Sequence, residues 1–191
     1  MRVSLALLLL GPLAAVAQPR HLETLEGALS GVAPAGEAYD GLWTMGPGGA
    51  LRVGTEFFGG RAHFALHAFP NEPTTADPAE LPEFLALRGT VGWGPRLGLP
   101  LGLGLTAGGT VGAVHMRFDD EDLAGNALVN ETELAAGLFA RLDVPVAGPV
   151  HLFAEAEVAH VYTAVPIRYR FVQGGVSVSL PAPPWLRRLL R

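Results

Sequence analysis

From about residue 39 onward, apolar and other side chains alternate with a period of two. Leu138, Ala140 and Leu142 share one parity, for example, whereas Arg141 and Asp143 share the other. Such alternation predicts β-strands with one apolar face. Gly- and Pro-rich turns and two longer polar segments divide the pattern into eight candidate strands, at 39–46, 50–58, 61–69, 83–94, 98–117, 131–144, 149–163 and 166–180.

The connections between these strands differ in length. Tight turns are predicted at 59–60, 94–96 and 147–149, longer loops at 70–82 and 118–130, and short connections at 46–49 and 164–166. Short turns on one side and longer loops on the other are typical of a transmembrane β-barrel. The sequence therefore predicts an all-β protein, an eight-stranded antiparallel up-and-down transmembrane β-barrel.

The composition of the two faces indicates which one is outside. The apolar face is rich in Leu and almost free of charge, whereas the other face mixes charges with Gly and Ala, which suits the narrow interior of a small barrel. Aromatic residues near the predicted strand ends resemble interfacial girdles; they are Trp43, Phe58, Phe69, Trp93, Tyr162 and Tyr169. A soluble lipocalin-like barrel with the apolar face inward and a small apolar ligand is the alternative.

The ends of the chain and its charge limit the class of protein further. A run of Leu5–Leu10 followed by Ala15-Val16-Ala17 predicts a signal peptide over 1–17. We expect an N-terminal leader at 18–38, the barrel at 39–180 and an amphipathic tail at 181–191. The formal charge of −5 argues against nucleic acid as a partner, and the absence of Cys excludes disulfides and thiolate metal sites.

The signal peptide, the eight alternating strands and the alternating turn lengths together resemble the small eight-stranded outer-membrane β-barrel family of the OmpA/OmpX type. In that family the last strand carries a signal that the barrel-assembly machinery recognises. The resemblance assigns this signal to Gln173, Gly175, Val178 and Leu180, which have its spacing, with aliphatic residues in place of the usual aromatic ones. The resemblance implies the outer membrane of a Gram-negative-type bacterium, with outer-membrane lipid and the barrel-assembly machinery as partners. It names no extracellular partner.

Charged residues on the polar face are expected to fill the lumen. Buried charges are costly unless they are paired, and Arg can hold a carboxylate with two hydrogen bonds. The expected lumen charge network comprises Arg52, Glu56, Arg61, Arg88, Glu133, Arg141, Asp143, Glu155, Glu157 and Arg168.

The signals for metal or enzyme chemistry are weak. Asp120, Asp122, Asn126 and Glu131 nearly match an EF-hand calcium loop, but Ala124 supplies no side-chain ligand. Serine is scarce and no nucleophile elbow occurs. We therefore expect no cofactor and no enzymatic activity. The expected role is structural, adhesive or recognition work through loops 70–82 and 118–130, and a lipid-modifying outer-membrane enzyme is a further alternative.

Overall fold

Nine β-strands and one short helix form the part of the chain that the computed structural model describes, residues 23–36, 42–74, 82–118, 130–163 and 167–188. A single 3-10 turn at Pro100–Gly102 lies between two of the strands. The elements are β1 (Thr24–Pro34), β2 (Trp43–Met45), β3 (Gly48–Phe57), β4 (Gly60–Pro73), β5 (Phe84–Gly98), β6 (Gly104–Phe118), β7 (Glu131–Ala147), β8 (Val150–Val161), β9 (Ile167–Pro181) and α1 (Pro184–Arg188). No helix in these ranges is long and apolar enough to span a bilayer.

The eight long strands close into an antiparallel barrel, as predicted. Each pairs with two neighbours, in the circular order β1, β9, β8, β7, β6, β5, β4 and β3. The short β2 and the longer β3 both pair with β4, and their registers differ by one residue. The predicted connection at 46–49 is therefore an irregularity between two strands that lie along the same side of β4, not a turn between neighbouring strands. Closure pairs every long strand on both sides and leaves no free sheet edge.

The first strand of the barrel lies in the segment predicted as a leader. β1 pairs with β3 from Leu25 to Val32 and with β9 from Thr24 to Pro34. The expectations of a leader over 18–38 and of a barrel that begins at 39 are therefore wrong. The reason is that β1 gains its hydrogen bonds from two partners distant in sequence, which its own weak pattern does not reveal. Within its described residues, 42–46, the expected strand at 39–46 contributes β2.

The two ends of the barrel differ. At one end, which we call the short-turn end, lie the turns at 58–59, 99–103 and 148–149 and the paired ends of β1 and β9. The predicted turn at 94–96 is wrong because β5 continues to Gly98 and the chain reverses through the 3-10 turn. At the opposite, long-loop end lie the connections around 35–42, 74–83, 119–130 and 162–166.

Several predictions lie outside the described residues. They include the signal peptide at 1–17, residues 75–81 of the first long loop and residues 119–129 of the second. Of the predicted calcium ligands, only Glu131 is described, at the start of β7.

Candidate functional site

The outer wall of the barrel is apolar. The side chains of successive strand residues alternate between the outside and the lumen, and the outward set is the predicted Leu-rich face. Leu29, Leu134 and Leu138 are 64, 67 and 72% exposed. Among the described strand residues, the outward positions that carry a charge are Glu72, Arg117, Arg168 and Arg170, all near the long-loop end. Between these charges and the short-turn end, the described wall is a charge-free band.

Ion pairs fill the lumen near the short-turn end. Glu26 bridges two arginines, with Arg61 Nη1 2.7 Å from Oε2 and Arg141 Nη2 2.9 Å from Oε1. Asp143 pairs with the same two cations, since Arg141 Nε donates to its Oδ1 at 2.8 Å and Arg61 Nη1 donates to its Oδ2 at 3.2 Å. Three strands, β1, β4 and β7, thus meet through residues that are distant in sequence. We call these four residues the Glu26 cluster.

Two further ion pairs lie above this cluster, toward the long-loop end. Both terminal nitrogens of Arg52 on β3 donate hydrogen bonds to the carboxylate of Glu155 on β8. Gln173 Nε2 also donates to Glu155, at 2.5 Å. Arg88 on β5 pairs with Glu157, which accepts a second hydrogen bond from Thr110 Oγ1 at 2.7 Å.

The buried charges balance. The buried Arg, Asp and Glu side chains of the described lumen are four arginines and four carboxylates. They are Arg52, Arg61, Arg88, Arg141, Glu26, Asp143, Glu155 and Glu157. Because these groups carry no net charge together, the lumen favours neither cations nor anions. Pairing also lowers the free-energy cost of burying each charge.

Glycines on the inner face make room for this network. A Cβ added at Gly137 would lie 2.9 Å from Glu157 Oε1 and 2.8 Å from Thr110 Oγ1. A Cβ at Gly92 would lie 2.4 Å from the His63 ring. The small residues that the sequence places among charges are therefore needed because polar side chains from the neighbouring strands reach these points.

An aromatic cluster fills the lumen at the long-loop end. Phe69 and Tyr169 are fully buried and stack edge to face at 5.1 Å, and Phe171 lies beneath Arg88 at 5.5 Å. The prediction of Phe69 and Tyr169 as interfacial girdle residues is therefore wrong, because both have inward parity. Phe58, Trp93 and Tyr162 are exposed, and Trp43 packs against the cluster.

The structure separates the ten predicted lumen residues into three groups. Seven of them form the ion pairs described above: Arg52, Arg61, Arg88, Arg141, Asp143, Glu155 and Glu157. Glu56 and Glu133 are only half-buried, at the short-turn and long-loop rims. The prediction that Arg168 lies in the lumen is wrong. Strand β9 keeps one register from Ile167 to Val178, and this register places Arg168 on the outward face. Sequence reasoning missed Glu26 because it lies in the supposed leader.

Metal chemistry finds no support in the described ranges. They contain no group of three or more His, Asp or Glu side chains placed to hold a metal ion. His63 and His67 face the lumen and pack against aromatic rings, His63 against Phe139 at 5.0 Å and His67 against Phe171 at 5.5 Å.

A closed eight-stranded barrel with an apolar wall and a polar, paired interior has the fold of the small outer-membrane β-barrels. Solved structures agree: the chain matches Neisserial surface protein A (TM-score 0.52, 14% identity, 81% of this chain and 94% of that chain). It also matches the outer membrane protein OprG from Pseudomonas aeruginosa (TM-score 0.53, 10% identity, 83 and 95% covered). A major outer membrane protein from Thermus thermophilus matches with a TM-score of 0.53 at 13% identity, with 82 and 99% covered. No protein-family model matches the sequence, and a search of curated proteins finds no match.

Proposed function

We propose that this protein spans an outer membrane as a β-barrel and serves a structural, adhesive or recognition role through its longer loops, without enzymatic activity. The observation that carries the proposal is the charge-free apolar band around a closed barrel whose interior holds paired charges. A water-soluble barrel has the reverse arrangement, because apolar side chains exposed over most of a wall are unfavourable in water.

The interior also argues against the two alternative functions. Ion pairs and aromatic rings fill the described lumen where a lipocalin-like carrier would hold its ligand. Two of the three serines in the described ranges are buried and engaged in the lumen: Ser30 donates to Gln173, and Ser177 accepts from Arg141. These contacts support a non-enzymatic role.

The partners that we propose are outer-membrane lipid and the barrel-assembly machinery. The residues of the assembly pattern lie on β9, which closes the barrel against β1. Leu180 faces outward and is 55% exposed, whereas Gln173 points into the lumen and contacts Glu155. Gly175 allows β9 to approach β1 closely, because a Cβ at this position would lie 2.0 Å from the Leu29 carbonyl oxygen.

Fractionation tests the proposed location. Expressed in a Gram-negative host, the full chain is expected in the detergent-extracted outer membrane and should migrate differently on a denaturing gel before and after boiling, because a closed barrel resists unfolding in detergent until it is heated. A soluble periplasmic protein with no mobility shift would contradict the proposal. The next experiment would then be a screen for lipophilic ligands.

Conductance measurements test whether the lumen is closed. In planar bilayers we expect no steady current steps from the purified barrel, because eight strands leave an interior that side chains can fill and both halves of the described lumen are filled. Reproducible, ohmic steps that scale with the amount of inserted protein would show an open path and contradict this prediction.

A further inference from the structure

Strand β9 carries two outward-facing arginines, which take no part in the ion pairs of the lumen. Arg168 and Arg170 are the first two outward-facing residues of β9, and both are exposed. No ion pair joins either of them to another residue in the described ranges. They lie at the long-loop end, where β9 begins.

Two residues of the neighbouring segment extend this surface. His160 on β8 is the register partner of Arg168, so both side chains stand on the same outward face. The His160 and Tyr162 rings lie 4.9 Å apart, and Tyr162 is 58% exposed. We call Arg168, Arg170, His160 and Tyr162 the β9 basic patch.

The β9 basic patch borders the charge-free band directly. Val158 pairs with Arg170 across the two strands, and Val172 follows Arg170 on the same face. These valines are 54 and 47% exposed. Since a strand rises about 3.3 Å per residue, the cations lie roughly 7 Å from the apolar wall. In a bilayer this is the depth at which lipid head groups meet the hydrocarbon core, and Tyr is typical of that depth.

We propose that the β9 basic patch binds the phosphate of an anionic lipid in the leaflet at the long-loop end, an inference that rests on the proposed function. Guanidinium groups form paired hydrogen bonds with phosphate oxygens. The Tyr162 hydroxyl can add a further donor, and the acyl chains lie on Val158 and Val172. A lipid is favoured over a free anion because its phosphate pairs with the two arginines while its acyl chains cover the apolar wall beneath them.

Lipid retention by the refolded full chain in detergent tests the proposal. Native mass spectrometry would compare dioleoyl phosphatidic acid with dioleoylglycerol, which has the same acyl chains and no phosphate. We expect the wild-type barrel to retain phosphatidic acid preferentially. The variant Arg168→Gln/Arg170→Gln should bind it about 25-fold more weakly, the product of about fivefold for each arginine near a membrane surface.

The matched control removes two arginines elsewhere. Arg187→Gln/Arg188→Gln, in α1 after the barrel, makes the same change in charge and should leave retention unchanged. Equal losses in the two double variants would show a response to total charge and overturn the proposal. Displacement of the lipid by millimolar inorganic phosphate would also overturn it, since the patch would then bind a free anion.

The gel assay separates failure of this inference from failure of the proposed function. Each variant should keep the heat-dependent mobility shift, because the substituted side chains lie outside the barrel core. Absence of the shift in the wild-type chain would contradict the proposed membrane barrel itself. A normal shift with equal phosphatidic acid retention by wild type and Arg168→Gln/Arg170→Gln would reject the lipid site alone.

Discussion

Glu26→Gln is expected to destabilise the barrel by about 3–5 kcal/mol, the range measured when one partner of a buried ion pair is removed. Glutamine keeps the size of the side chain but removes the charge that Arg61 and Arg141 share. Both guanidinium groups are buried, and Asp143 would remain as their one carboxylate partner within the Glu26 cluster. Water cannot replace the lost charge at low cost in a filled lumen.

Urea unfolding in lipid vesicles, followed by tryptophan fluorescence, measures this effect. The control is Glu56→Gln, the same substitution at a half-buried rim position, which should cost about 1 kcal/mol or less because solvent screens the charge there. The double variant Glu26→Gln/Arg61→Gln should lose less stability than the sum of its single variants, because it removes a cation together with its partner. Equal effects of Glu26→Gln and Glu56→Gln would contradict a buried Glu26 and, with it, the place of β1 in the barrel.

Leu138→Arg is expected to destabilise the inserted barrel by about 2–4 kcal/mol, the cost of Arg near the bilayer midplane on the lipid face of a barrel. Leu138 faces outward near the middle of β7 and is 72% exposed. In water, an arginine at so exposed a position would cost little. The substitution therefore distinguishes a lipid-facing wall from a solvent-facing one.

The control for this prediction is the same change at a turn. Leu101 lies in the 3-10 turn at the short-turn end and is 91% exposed, so Leu101→Arg should cost about 0–1 kcal/mol, as charges near the membrane interface do. Unfolding of both variants in vesicles would be compared with unfolding of the wild type. Equal small effects at the two positions would mean that Leu138 is not in contact with lipid.

Alternation allowed much of the barrel to be predicted. Where outward Leu and Val alternate with inward charges, as at Leu138 and Arg141 on β7, the period of two fixes both the strand and the face of each side chain. Alternation did not predict β1, because its outward positions include Gly27 and Gly31 and its two faces therefore differ little in hydrophobicity. On β9, valines and arginines share the outward parity, and hydrophobicity alone therefore assigned Arg168 to the wrong face.

The partners of each charge could not be predicted from the same pattern. Glu26 meets Arg61 and Arg141 because closure brings β1, β4 and β7 around one narrow lumen, although these residues are far apart in sequence. The aromatic cluster has the same origin, since Phe69 and Tyr169 come from β4 and β9. The sequence by itself determined an all-β chain with an apolar and a charged face, because strand geometry is local. Only the tertiary structure decided which strands join, which charges pair and where the barrel begins, because strand pairing and barrel closure depend on contacts between distant residues.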